Sequence, residues 1–372
     1  MEGYNKKTKS RTKRGIRIAL MLVLLVISCT AGFFVAKARV ALDQTLNHVT
    51  RDYGSKLSSV DLSGIKVKSD DNIVNILLIG NDKREEKYYT NQRGLRDVIM
   101  IATMDRKHGM LKLTSLMRDL RVFVPAADGY EKFNAATNHE GEVKSLYKTI
   151  AHNFNIKLDG YVEVDFDAFK EVVNALGGVE VNLTDTEVRY LSITNYIQKK
   201  KNRQGLVTGK QVLNGDQALG YCRIRKGGVK TVTGLMDDYG RTWRQRTVIK
   251  GVFNKIKKFS MSKWVDLANE VLGEYVKTDL TNDDIFDYMK DAIWMGTLEI
   301  SQLQIPLNGY FRSSYDGEFS CGDSLVLTNG TTSDRSQSSN AEALSKFIFE
   351  YDGKEPFTYG TYTSDPTGAS EE

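Results

Sequence analysis

This sequence has little histidine, little cysteine, and none of the familiar nucleotide-binding or nucleophile-elbow loops. Its 372 residues hold 4 His and 3 Cys. His48, His108, His139 and His152 are scattered and form no ligand pair, and Cys29, Cys222 and Cys321 have no metal-ligand spacing. A zinc enzyme and a His-based triad are therefore not expected. Cys222 and Cys321 could pair outside the cell, but two cysteines so far apart carry little information alone. There is no Walker loop, no G-x-G-x-x-G after a strand and no G-x-S-x-G. No internal repeat and no helix-turn-helix is apparent, so nucleic acid is not an expected partner.

The hydrophobic and charged fractions, 41% and 27%, are those of an ordinary globular protein. Much of the net charge of +5 sits at the N-terminus, in Lys6, Lys7, Lys9, Arg11, Lys13, Arg14 and Arg17. An apolar run from Ile18 to Ala36 follows. At 1.5 Å per residue it reaches roughly 28 Å, about one hydrocarbon core. Basic residues before it place the N-terminus inside and the bulk of the chain outside. Ala36-Lys37-Ala38 resembles a cleavage site, but the run is longer than the apolar segment of a cleaved signal peptide. The expectation is a basic cytoplasmic tail (1–17), a single transmembrane signal-anchor (18–36), an extracellular stalk (37–72), a folded domain (73–351, core 73–259) and a polar, disordered tail (352–372).

Within the domain, 73–79, 98–104 and 110–116 read as strands, the last two joined by a hairpin at Asp105 to Gly109. Val143, Leu146, Tyr147, Ile150 and Phe154 recur at helical spacing and predict a helix over 141–155. A strand at 161–166, a helix at 168–176 capped by Asp167, and a strand at 179–183 come next. Residues 185–212, with Lys199, Lys200 and Lys201, read as an irregular surface loop or lid. A short helix at 214–220, a strand carrying Arg223 and Arg225, and helices at 240–259, 282–294 and 341–351 complete the reading, with a late strand at 301–306. Interleaved strands and helices predict an α/β fold, a mixed central sheet flanked by helices as an α-β-α sandwich.

The chain is organised around Tyr221 to Arg246. Arg223 and Arg225 alternate, a glycine-containing loop follows, and Asp238, Arg241 and Arg244 open a helical pattern. Arginine presents a planar fork that matches phosphate oxygens two at a time. Other polar clusters sit at the ends of predicted strands, where open α/β sheets place ligands. They are Asp82 with Arg84, Arg96 with Asp97, Arg118 with Asp119, and Lys132 with Asn134. Each pair alone is as readily turn chemistry or a surface ion pair. Together they point to a divalent cation, Mg²⁺ (or Mn²⁺), held by carboxylates, Asp82 and Asp97 being the candidates, and to an arginine clamp on phosphate. Asp119 or Asp238 would hold an arginine in place.

Ordered along the chain, these pieces resemble the LytR-CpsA-Psr family of Gram-positive envelope transferases. The pieces are Asn75 to Gly80 with Asp82 and Arg84; Ser115 to Asp119; Lys132 to Ala136; Phe169 with Ala175 to Val179; Leu213 to Tyr221; Arg223-Ile224-Arg225; and Asp238 to Gln245. The resemblance spans about Ile73 to Lys258, with the short tail and single span before it. It implies a polyprenyl (pyro)phosphate lipid in a tunnel of the α/β domain, and transfer of a lipid-linked glycopolymer (teichoic acid, capsule or a related polysaccharide) to peptidoglycan at the cell membrane. It also implies metal-binding by Asp82 and Asp97, and pyrophosphate-binding by Arg118, Arg223, Arg225 and Arg241. Asp119 and Asp238 join them as catalytic candidates; Arg84, Arg96, Lys132, Asn134, Arg244 and Gln245 are substrate-binding candidates. Three positions depart from the family pattern. Leu95-Arg96-Asp97 replaces Arg-Ser-Asp, which moves the arginine to the other face of a strand and leaves Arg96 or Arg93 to fill its role. Met117 stands where proline is usual, and Cys222 where an aliphatic residue is common. The alternatives are a metal-dependent phosphohydrolase at the same site and a non-catalytic lipid- or polysaccharide-binding scaffold.

Overall fold

A computed structural model describes residues 39–40, 43–44, 46, 50–82, 95–259, 263, 276–295, 299–328, 339–360 and 362–363. The apolar run 18–36, Arg84 and Arg93 lie outside them. Among the described residues no helix is long and apolar enough to cross a membrane.

The centre is a seven-stranded mixed sheet. Its strands are β1 (Thr50–Arg51), β2 (Ile73–Asp82), β3 (Leu95–Asp105), β4 (Met110–Leu116), β7 (Gly160–Asp165), β10 (Val276–Thr278) and β11 (Ile300–Ile305). The order across the sheet is β1-β10-β7-β2-β3-β4-β11. β2 runs antiparallel to β3 and parallel to β7, and β11 runs parallel to β4. Among the described residues four two-stranded ribbons accompany it: β5 (Arg121–Val124) with β6 (Gly129–Lys132), β8 (Val179–Leu183) with β9 (Gly209–Leu213), β12 (Phe311–Ser313) with β13 (Leu325–Leu327), and β14 (Thr358–Tyr359) with β15 (Tyr362–Thr363).

One face of the sheet is closed. Leu77, Ile79, Ile99, Ile101 and Tyr161 pack under α1 (Val143–Phe154) and α7 (Ser339–Phe349) in one continuous buried cluster. That face also buries a charge cluster. Lys112 Nζ donates to Asp105 Oδ2 at 2.7 Å and to the Ile348 carbonyl at 2.9 Å, and His108 Nδ1 lies 2.7 Å from the same carboxylate oxygen. Burial works against the Asp105 carboxylate, but hydrogen bonds from Lys112 and His108 outweigh it and hold its pKa below the usual value.

The opposite face carries α2 (Phe166–Ala175), α4 (Gly215–Arg223) and α5 (Asp237–Ile256), with α6 (Asn282–Trp294) beside them over β7 and β10. α2 is capped by the Asp165 side chain, two residues before the predicted cap, because Asp165 Oδ1 accepts from Ala168 N at 2.9 Å. The segment 185–212 is not irregular. Thr184 and Glu187 form a reciprocal capping box that starts α3 (Asp185–Ile193), and β9 pairs with β8. Its polarity masked a short helix that buries the charged Glu187 beside the apolar Leu191.

Two other expectations change. Residues 50–72, expected as stalk, pack on the domain: β1 pairs with β10, Leu57 is buried, and Lys68 bridges to Ile156. The segment after Gly353 buries Phe357 and Tyr362 against the closed-face core. Residues 364–372 lie outside the described residues.

A β-bulge sets the faces near the site. β2 and β3 pair regularly from Ile73 with Asp105 to Gly80 with Val98, and then Asn81 pairs with Arg96, so Asp97 has no partner. One extra residue shifts the alternation of side chains by one. Gly80 permits the close approach, since a Cβ there would stand 2.8 Å from Val98 Cβ. Asp97 joins Val98 on the helix-roofed face, and Arg96 turns to the closed face.

Candidate functional site

Between the sheet and its roof of α2, α4 and α5 lies a cavity of about 580 Å³. Leu78, Val98, Val162 and Val164 form the floor, and Phe166, Phe169, Leu219 and Ile249 the roof. The wall also carries polar groups, Asp97, Asp165, Asn195, Arg223, Arg225, Lys226, Arg241 and Gln245, of which Asp97, Arg225 and Arg241 are close enough to interact electrostatically. An apolar chamber with a cationic margin suits an amphiphile with an anionic head.

The arginines reach this margin by different routes. Arg223 is the last residue of α4, not part of a strand, and Ile224 ends the helix in an extended conformation. The helix wins because Asn214 and Gln217 form a capping box and the following turns bury Leu219 and Tyr221. Ile224 is fully buried, so the neighbouring arginines are directed away from it, as alternation implied. The Arg223 guanidinium lies over the rings of Phe166 and Tyr196, 5.4 and 5.7 Å from their centroids. Arg225 forms no ion pair among the described residues.

Arg118 follows β4 and Arg241 rises from the first turns of α5. Arg118 Nη1 pairs with Asp97 Oδ1, and its Nε lies 3.4 Å from Asp119 Oδ2 without an aligned hydrogen bond. Arg241 Nη2 bridges both oxygens of Asp238 at 2.7 and 2.9 Å, while its buried Nε has no partner. Burial lifts the Asp238 carboxyl above the usual range; Arg241, Arg118 and Arg225 oppose that and Asp119 reinforces it. Burial likewise pulls the Arg241 pKa down, opposed by Asp238 and reinforced by repulsion from Arg118. For Arg118, burial is outweighed by Asp97, Asp119 and Asp238, and the net shift is upward. Mutually repelling guanidiniums with unpartnered N–H groups are stabilised by an anion placed among them.

Lys132 Nζ stands 3.9 Å from Asp119 Oδ1, at the edge of the same cluster. Asn134 contributes through its backbone, its N–H donating to the Arg118 carbonyl at 3.1 Å.

Two expected substrate-binding residues serve elsewhere. Arg96 is 5% exposed and pairs with Glu142 at 2.6 Å and Glu163 at 3.3 Å on the closed face, because of the bulge. Arg244 is 0% exposed and pairs with Glu187 at 2.7 Å. It also donates to the carbonyls of Ile224 at 3.1 Å and Val229 at 2.9 Å, and so holds the loop that carries Arg225. Arg244 is a positioning residue, and all three of its nitrogens have protein acceptors. Gln245 does line the cavity, donating to the Cys222 carbonyl at 3.4 Å.

Phe166, Tyr196 and Lys226 line the cavity without having been singled out in the sequence, and Phe169 was marked by the family pattern without a role. The aromatic residues read as ordinary core, and Lys226 adjoins Arg225 in a loop. Cys222 also lines the cavity, but burial pushes its thiol up to about 12, which disfavours the thiolate at neutral pH. Cys222 and Cys321 are both free thiols.

Of the two expected cation ligands, one lines the cavity, where it also pairs with Arg118. Asp97 presents a carboxylate to the cavity, and Asp82 stands opposite Leu95 in register on the paired strand. Among the described residues no three His, Cys, Asp or Glu side chains converge as a closed metal cage. An oxygen-only set of one or two carboxylates, completed by phosphate oxygens, is the arrangement Mg²⁺ takes at phosphoryl sites.

The family model for LytR_cpsA_psr matches residues 34–329. The chain belongs to that family. Among curated proteins it is similar to the polyisoprenyl-teichoic acid–peptidoglycan teichoic acid transferase TagU of Bacillus mycoides, 28% identical over 300 residues, covering 80% of this chain and 90% of that one. It is 30% identical over 292 residues to TagT of Bacillus subtilis, covering 77% of this chain and 82% of that one. Among solved structures, "TagT bound to LI-WTA" is 25% identical with a TM-score of 0.56, over 81% of this chain and 97% of that one. Bacillus subtilis TagV, 23% identical over 77% of this chain and all of that one, has the same TM-score and shares the fold.

Proposed function

We propose that this family member moves a glycopolymer from a polyprenyl-pyrophosphate carrier to peptidoglycan. That it is a glycopolymer transferase follows from its family and from its teichoic acid transferase relatives. The observation that carries the reading is the cavity: apolar walls for an isoprenoid tail, with Asp97, Arg223, Arg225 and Arg241 where the pyrophosphate would lie. A solved relative at 25% identity, TagT, is bound to LI-WTA. The apolar run 18–36 anchors the chain in the cell membrane, N-terminus inside, with the catalytic domain outside and the cavity within reach of the carrier lipid.

In the reaction an acceptor hydroxyl attacks the phosphorus next to the polymer's first sugar. The new bond is O–P to the acceptor; the bond broken joins that phosphorus to the polyprenyl phosphate, which leaves with the electron pair. The hydroxyl proton passes to a carboxylate of the cluster. Arg118, Arg223, Arg225 and Arg241 neutralise charge on the phosphates and hold the attacked phosphorus in place. Asp238 fixes Arg241 from two oxygens, and Asp97 fixes Arg118. Asp97 and Asp82 would hold Mg²⁺ (or Mn²⁺), which supplies further charge neutralisation when bound.

The test is covalent transfer of a lipid-pyrophosphate-linked saccharide to peptidoglycan by the purified full-length chain, with and without Mg²⁺. Mg²⁺-dependent attachment that Arg225→Ala loses is the expected result. Release of saccharide phosphate without attachment would replace the transferase with a phosphohydrolase.

A further inference from the structure

The lipid tail takes one side of the reaction centre, so the acceptor must approach from another. That side is bordered by the ribbon β12–β13 and its connecting loop. Leu325 N donates to the Asp119 carbonyl at 2.9 Å, and Leu325 forms a bridge with Leu120. Phe311 packs on the ring of Tyr239, next to Asp238, with centroids 5.5 Å apart. The ribbon therefore touches backbone or side chains adjoining both Asp119 and Asp238.

Its outer surface is aromatic. Tyr315, in the loop, is 74% exposed, and Tyr130 on the neighbouring β6 is 44% exposed. Between β5 and the ribbon, the Arg121 guanidinium is sandwiched by Tyr130 and Phe319, 4.3 and 3.9 Å from their centroids. With both faces covered by rings, only the edge of the guanidinium can donate. Arg121 has no ion pair among the described residues, and its Nε is buried without a partner. Glu318, the ribbon carboxylate on which the Arg121 charge acts, is already engaged: its oxygens pair with Arg312, at 2.5 and 2.8 Å, and it accepts from Tyr315 N at 2.8 Å. Arg121 lies opposite Lys132 in the β5–β6 register, and Lys132 reaches Asp119. The unpaired cation is thus one cross-strand pair from the catalytic cluster.

We propose that this surface is the acceptor subsite and binds a carboxylate-bearing glycan strand, Tyr315 stacking on a sugar ring and the edge of Arg121 taking a carboxylate. An exposed ring offers a flat apolar face to the C–H face of a pyranose, and a guanidinium edge matches a carboxylate bidentately. The assignment of the bound strand as the acceptor rests on the transferase reading above; the subsite itself does not.

The test measures binding of muramidase-released peptidoglycan saccharides to the full-length chain, with polyprenyl pyrophosphate binding measured in parallel. Tyr315→Ala and Arg121→Gln each should weaken saccharide binding by about fivefold or more, with lipid binding unchanged. Tyr315→Phe, which keeps the ring, should bind as the wild type does. Saccharide binding lost in Tyr315→Ala from a wild type that binds saccharide but transfers nothing would uphold the subsite and sink the transferase reading. Wild-type binding in both variants, parallel loss of lipid binding, or no saccharide binding by the wild type would overturn the subsite.

Discussion

The two faces of the central sheet are built from the same strands and differ in what covers them. Under α1 and α7, Leu77, Ile99, Ile101, Leu146, Ile150 and Phe154 are all within 2% of full burial. Even the charged cluster there, Lys112 with Asp105, closes on itself and on a backbone carbonyl. Under α2, α4 and α5 the floor residues Leu78, Val98, Val162 and Val164 are only partly buried and look onto the cavity. The difference lies in the polar groups. On the closed face the Lys112–Asp105 cluster is complete and Arg96, though its Nε has no partner, is paired with Glu142 and Glu163, whereas on the cavity face Arg118 and Arg241 keep unpartnered N–H groups and Arg225 has no ion pair among the described residues. Ligand capacity resides on the cavity face, whose roof is itself locked by the buried Arg244–Glu187 pair.

That contrast can be broken at either face. The largest effect is expected from Arg244→Met, which leaves Glu187 charged and fully buried without its partner. The loss should be about 3–5 kcal/mol, read as a lower urea midpoint. Phe154→Ala on the closed face should cost about 3–5 kcal/mol yet leave lipid affinity per folded molecule intact. If lipid affinity falls in step with stability, the two faces are not separable. Arg225→Ala should reverse the pattern, lowering transfer by about 10²–10³-fold with an unchanged melting temperature.

The smallest effect concerns pH. Asp105 has a folded pKa below its unfolded value, so its stabilisation is present above the unfolded value of about 3.9 and is lost as pH falls through the lower folded value. Denaturant midpoints of Asp105→Asn should therefore change less steeply with pH below about 4 than those of the wild type. Equal slopes would remove Asp105 from the acid transition.

Much of the fold could be read from the sequence because its signals were long. The apolar runs at 73–79 and 98–104 and the helical spacing of Val143 to Phe154 became β2, β3 and α1 with small shifts at their ends. Short patterns misled: Arg223-Ile224-Arg225 alternates like a strand, but a helix reaching Arg223 followed by one extended residue produces the same alternation. The bulge at Asp97 was invisible, since it is a property of two paired strands. Arg96 faces the closed side because that bulge shifts the alternation by one residue. Arg244 and Arg241 are separated by less than one helical turn and could not be told apart by type. One meets Glu187 in a sealed interior, and the other keeps a bare N–H beside the cavity. The cavity left no trace, because Val162, Val164 and Leu219 are the residues a solid core would also use.

The most direct test of the division between faces is lipid retention by a cavity-filled variant. Val164→Trp adds bulk to the cavity floor and leaves every arginine in place. Polyprenyl pyrophosphate bound to the full-length chain would be quantified by native mass spectrometry for the wild type and this variant, alongside their melting temperatures. The account predicts that the wild type retains lipid and that Val164→Trp retains at least about tenfold less at a similar melting temperature. Equal lipid retention by the two proteins would contradict it.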